Sequence, residues 1–137
     1  MKILVLCTGN SCRSQMAEGW LRHFGNRSIE VFSAGTHPEK INSMAIQVML
    51  ESGIDISTHT SNLIDEYLDY DIDIVLSVCA NAERACPVFP KSVKRMHKEF
   101  DDPAKFSGSE EEVIGFYREV RGQIKDFTCK FIENLDD

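Results

Sequence analysis

The run MKILVL, continuing straight into CTGNSCRS and then QMAEGWLRHF, most constrains what this chain can fold into. A short, continuously apolar segment suits a strand buried on both faces, and such strands belong to parallel sheets. Met16, Trp20, Leu21 and Phe24 then recur at helical spacing. The polar stretch from Cys7 to Ser14 is therefore expected where a buried strand hands over to a helix.

The rest of the chain repeats that alternation. SIEVFSAG, from Ser28 to Gly35, reads as a second strand, and THPEK as a turn. Asn42 is placed to cap a helix running through Glu51, with Gly53 ending it. SNLIDEYLDY suggests a short helix capped by Ser61. IDIVLSVC, from Ile72 to Cys79, is the strongest later strand, whereas SVKRMH is a marginal one among Pro87, Pro90 and Pro103. Apolar residues at helical spacing between Ser109 and Leu135, opening on SEEE, predict a long terminal helix. At 137 residues the chain fits one domain. The expectation is an α/β fold: a single three-layer domain over 1–137, with a four-stranded parallel sheet, helices on both faces and right-handed crossovers. Ligands in such sheets bind beyond the carboxyl ends of the strands, which brings Cys7 and Cys79 near each other.

The loop itself has the chemistry of an oxyanion site. Unpaired amides at a helix N-terminus favour an anion and are expected to lower the pKa of a neighbouring thiol. Thr8, Gly9, Asn10, Ser11, Cys12 and Arg13 would line the anion nest. Gly9 and Asn10 most readily take the positive φ it needs, and the Arg13 guanidinium can grip two oxygens. Cys7 is the candidate nucleophile, and Ser14 either donates to its thiolate or caps the helix. The plainer alternative is a buried packing cysteine beside ordinary turn residues; the position between strand and helix favours the anion loop.

A net charge of -7 and a pI near 5.1 argue against nucleic acid or an anionic membrane as partner, so an anion must be held by local geometry. No apolar run is long enough to span a membrane and no signal-peptide pattern opens the chain, so a cytoplasmic location is expected. Five cysteines in such a chain point to redox or catalytic use rather than a disulfide framework. Cys79 and Cys86 stand seven apart in CANAERAC. On a regular helix they would share a face roughly 10 Å apart, so a disulfide between them requires unwinding. A redox switch and two incidental cysteines both remain open. Asp102, before Pro103, is either a general acid or base projecting from a loop or an ordinary surface turn. Cys12 reads as loop packing with some chance of pairing to Cys7, and Cys129 as structural. The four histidines show no metal-ligand spacing, so no metal is expected.

Taken together, CTGNSCRSQMAEGW, VFSAGTHP, HTSNLID, the Cys79/Cys86 pair and FDDPA resemble the thioredoxin-coupled arsenate reductases, which share the low-molecular-weight protein tyrosine phosphatase fold. The resemblance runs through nearly the whole chain. The loop is common to reductases and phosphatases. The second cysteine pair separates them, together with Ala104 and Lys105 where phosphatases of this fold usually carry aromatic residues. The resemblance implies that Cys7 attacks arsenate held by the loop amides and Arg13, that Ser14 stabilises the thiolate, and that Asp102 protonates the departing oxygen. Cys79 would then take the Cys7 sulfur and Cys86 resolve the resulting disulfide, with electrons from thioredoxin and no bound cofactor. A monomer is expected. Some relatives hold potassium through residues matching Asn10, Glu18, Ser33 and an aspartate where this chain has Asn62; with that carboxylate missing, no potassium site is assigned. The alternatives are a phosphatase forming a phosphocysteine at Cys7, and a non-catalytic oxyanion-binding redox sensor.

Overall fold

A strand as apolar as Met1 to Leu6 has to be central, and it is. The computed structural model of the chain describes residues 1–80, 89 and 92–135. In it β1 (Lys2–Cys7) lies between β2 (Glu30–Gly35) and β3 (Ile74–Ser77), with β4 (Lys94–His97) outside β3. All three pairings are parallel. Ile3, Leu4, Val5 and Leu6 are at most 1% exposed, which accounts for the unbroken apolar run. β4 is an edge strand with mostly exposed residues, so KRMH carries little apolar signal.

The first crossover runs from β1 outward to β2 through α1 (Arg13–Phe24). The next, through α2 (Ser43–Glu51), returns across β1 to β3. The winding direction thus reverses at β1, while α2 packs beside α1, its Met49 against Gly19. A reversal of this kind opens a crevice beyond the carboxyl ends of β1 and β3. Cys7 ends β1, and Cys79 stands just past the end of β3.

Helix α3 (Glu110–Leu135) packs on both α1 and α2, burying Tyr117, Val120, Ile124, Thr128, Phe131 and Ile132. Its start is a reciprocal cap: the Glu112 N–H donates to Ser109 Oγ and the Ser109 N–H to Glu112 Oε1, both at 3.2 Å. Asn42 caps α2 as expected, accepting from the Ala45 N–H at 3.0 Å. Gly53 follows with φ of 81°.

Two expectations are corrected. The segment expected as a helix capped by Ser61 is a 3-10 turn, Ile64–Tyr67, preceded by Leu63. Ser61 does not cap it, because its hydroxyl donates instead to the Gly9 carbonyl at 3.2 Å. The strand read as Ile72 to Cys79 pairs only over Ile74–Ser77, so Cys79 belongs to the loop above the sheet rather than to the ladder.

Candidate active site

The loop between β1 and α1 is shaped from behind. The Thr8 carbonyl accepts from the His37 N–H (2.9 Å), that of Gly9 from the Glu39 N–H (2.8 Å), and that of Ser11 from the Asn42 N–H (2.8 Å). The Asn10 carbonyl accepts from Gln15 Nε2 at 2.9 Å. In a planar trans peptide the C=O and the next N–H point opposite ways. Fastening these carbonyls outward therefore turns the N–H groups of Gly9, Asn10, Ser11 and Cys12 toward the crevice, a concave array of donors for an anion.

Asn10 takes φ of 48°, a left-handed conformation its residue type tolerates. Its buried side chain donates to Ser14 Oγ (2.8 Å) and Ser33 Oγ (2.9 Å) and accepts from the Asn62 N–H (2.9 Å). Ser14 lies in the first turn of α1 and does not cap it. As the Asn10 amide supplies its acceptor bond, the hydroxyl proton of Ser14 is left to donate elsewhere. Gly35 leaves room for the loop: a Cβ there would lie 2.5 Å from the Thr8 carbonyl oxygen and 2.9 Å from the Asn10 nitrogen.

A cavity of about 450 Å³ opens over this array, lined by Cys7, Cys12, Arg13, Cys79 and Asp102 among others, with Glu39, Glu99 and Lys105 at its wall. Arg13 reaches it from the start of α1. Its Nη1 donates to the Phe100 carbonyl at 3.0 Å and its Nη2 lies 3.5 Å from Asp102 Oδ2. Its buried Nε has no partner, a donor ready for an anion. Asp102 also caps the 3-10 turn Pro103–Lys105 through its other oxygen, accepting from Ala104 N–H at 3.0 Å. The Asp-Pro turn and the charged group facing the site are one and the same residue.

Cys7 and Cys79 are both buried thiols, hydrogen-bonded to each other, and Thr8 Oγ1 lies 3.3 Å from Cys79 Sγ. One expectation fails here. The Cys7 thiol is pushed up rather than down, first by its hydrogen bond to Cys79 and then by burial; Arg13 and the Thr8 N–H pull the other way without prevailing. Cys12 is pushed up to about 12, by burial first and then by Asp102, which suits a neutral packing thiol at the start of α1. Cys129 sits on α3, away from the cavity lining. Cys86 lies outside the described residues.

Sequence reasoning missed the supports. Gln15, fully buried, braces the Asn10 carbonyl and also donates to the Thr60 carbonyl at 3.0 Å, while its Oε1 lies 3.0 Å from His59 Nδ1. Its place on an amphipathic helix gives no hint of a polar bracket. Glu18 and Ser33, considered for a cation, are tied to each other, and Glu18 pairs with Arg22 at 2.9 Å. Asn62 Oδ1 accepts from the Thr60 hydroxyl at 2.7 Å. A carboxylate already paired with a guanidinium, and an amide oxygen already taken by a hydroxyl, do not fit a potassium ion. No cluster of three or more histidine, cysteine or carboxylate side chains suited to a metal occurs among the described residues.

The sequence matches the family described as low molecular weight phosphotyrosine protein phosphatase over residues 2–137. An arsenate reductase of Bacillus licheniformis is 46% identical over 131 residues, covering 96% of this chain and 94% of that protein. Among solved structures, an arsenate reductase in the oxidised state superposes with a TM-score of 0.80 at 32% identity, covering 97% of both chains. The low molecular weight protein tyrosine phosphatase of T. tengcongensis does so at 0.81 and 27% identity, covering 98% of this chain and 99% of that one.

Proposed function

Since the chain belongs to the low molecular weight phosphotyrosine protein phosphatase family, within which its relatives include arsenate reductases, we propose that it reduces arsenate to arsenite through a relay of thiols. The observation that carries this reading is the second thiol: Cys79 is hydrogen-bonded to Cys7 inside the oxyanion cavity. Hydrolysis of a phosphocysteine needs a water in line behind the phosphorus and calls for no second thiol beside the nucleophile.

The steps balance as follows. Arsenate is held by the loop amides from Gly9 to Cys12 and by Arg13. The Cys7 sulfur attacks arsenic as its proton passes to Asp102, which hands it to the arsenate oxygen that leaves as water. Cys79, as thiolate, attacks the Cys7 sulfur; the sulfur–arsenic bond breaks, its electron pair stays on arsenic, and arsenite departs as As(V) becomes As(III). A Cys7–Cys79 disulfide remains. Cys86 then attacks the Cys79 sulfur, freeing Cys7 and leaving a Cys79–Cys86 disulfide for thioredoxin to reduce. The Thr8 hydroxyl, beside Cys79 Sγ, is placed to stabilise the attacking thiolate. In this reading the Ser14 hydroxyl would donate to the Cys7 thiolate. The enzyme of this reading is a cytoplasmic monomer without a bound cofactor; no helix among the described residues is long and apolar enough to cross a membrane.

Disulfide mapping by mass spectrometry after one equivalent of arsenate tests the relay. Wild-type protein should accumulate Cys79–Cys86, and Cys86→Ser should accumulate Cys7–Cys79 and stop after one arsenite. Sustained thioredoxin oxidation by Cys86→Ser would sink the three-thiol order. Multiple turnovers of a phosphate ester by a Cys79→Ala variant, with no arsenite from the wild type, would favour the phosphatase instead.

A further inference from the structure

We infer that Tyr117 of helix α3 is a positioning residue for the oxyanion loop, acting through Asn42. Tyr117 does not line the cavity and is only 4% exposed. Its hydroxyl accepts from Asn42 Nδ2 at 3.0 Å. Asn42 is the residue whose backbone N–H fastens the Ser11 carbonyl at 2.8 Å, and whose Oδ1 caps α2. The N–H of Cys12 belongs to the same peptide plane as the Ser11 carbonyl. Any rotation of Asn42 therefore tips one of the amides that face the anion.

Asn42 needs such a hold. It stands at the end of an exposed stretch, residues 37–40, whose N–H groups at His37 and Glu39 fasten the Thr8 and Gly9 carbonyls. Elsewhere α2 is tied to α3 by Glu51 with Arg118 and Arg121 and by Arg121 to the Val48 carbonyl at 2.7 Å, all beyond the capped end of α2. The Asn42–Tyr117 bond is the tie at the loop end. A packing role for the ring does not require a hydroxyl aimed at Asn42, and Phe at this position would keep the packing while removing the tie. Burial, the leading cause, raises the pKa of the phenol, so the hydroxyl stays neutral and leaves the charge of the site unchanged.

The test uses the full chain and inorganic phosphate as probe, which makes it independent of whether the protein reduces arsenate. Calorimetric phosphate affinity is measured for wild type, Tyr117→Phe, Asn42→Ser and the double variant; Ser retains a capping oxygen but cannot reach the phenol. A lost neutral hydrogen bond corresponds to about fivefold in affinity, so each single variant should weaken phosphate by about that factor. The double variant should be no weaker than either single one, because both remove the same tie. In steady state with arsenate the KM of Tyr117→Phe should rise by a similar factor with kcat little changed. An unchanged phosphate affinity in Tyr117→Phe, with or without a lower melting temperature, would overturn the assignment, as would effects that add in the double variant. Loss of arsenate turnover in every variant and the wild type, with the phosphate pattern intact, would count against the reductase reading alone.

Discussion

The sulfur of Cys79 lies 3.3 Å from the hydroxyl of Thr8, the residue immediately after Cys7, so the second thiol is held against the first before any substrate arrives. The hydrogen bond to Cys79 is the largest cause holding the Cys7 proton on. Removing Cys79 as Cys79→Ala should therefore lower the pKa of Cys7. Alkylation of Cys7 by iodoacetamide, followed against pH, should shift to lower pH in the variant. An unshifted or upward-shifted profile would contradict the pairing. The same variant should yield no arsenite in a single turnover.

Arg13→Lys should fail despite keeping the charge. Lysine cannot span the Phe100 carbonyl, Asp102 and an oxyanion from one planar group. Losing charge-assisted hydrogen bonds of this kind costs about 2 kcal/mol, or about 30-fold in arsenate kcat/KM. A variant within about threefold of wild type would show that charge alone suffices.

Gly35→Ala tests the loop's support rather than its chemistry. The new methyl would press on the Thr8 carbonyl and the Asn10 nitrogen, and the loop has to move away. Displacements near 1 Å can cost about 100-fold in rate, and that loss is expected in a protein that still folds. Full activity would mean the loop tolerates a shift it is argued not to.

Asn10→Ala removes bonds to Ser14, Ser33 and Asn62 and places alanine at positive φ. A destabilisation of about 3 kcal/mol is expected from chemical denaturation, since buried partners are left unpaired. A change below about 1 kcal/mol would show that the network is not a support.

Glu51 carries the clearest acid dependence. Arg118 and Arg121 hold its carboxyl down from 4.5 to about 2. A depressed folded-state value means the contribution is present above the unfolded value and is lost as pH falls from 4.5 toward 2. Glu51→Gln should lower the melting temperature at pH 7 and flatten its fall across that acid window. Because the carboxylate is exposed, the effect should shrink in high salt. An identical acid profile in the variant would remove Glu51 from the account.

The strand, loop and first helix could be read from residue order because their signals are local: an apolar run, turn residues and helical spacing. Cys79 could be placed near Cys7 because parallel strands share one end. What supports the loop could not be read. Gln15 looks like a filler in an amphipathic helix, yet it braces Asn10 and Thr60. Tyr117 looks like one more core position of α3, and its partner lies 75 residues away. Serine favours a capping position, yet a distant carbonyl, that of Gly9, claims the Ser61 hydroxyl. The lowered thiol expected from a helix N-terminus omitted the second sulfur, which only the fold brings into contact.

The carbonyls of Thr8, Gly9 and Ser11 are fastened by residues 37 to 42, a segment the chain reaches only after β2 is laid beside β1. During synthesis, a ribosome-bound chain ending before His37 would already contain every residue of CTGNSCRS and none of these fasteners. Its leading cysteine would be an ordinary, accessible thiol. Capture of an oxyanion thus becomes a late event in folding, reporting that a remote stretch has docked rather than that the motif has been made.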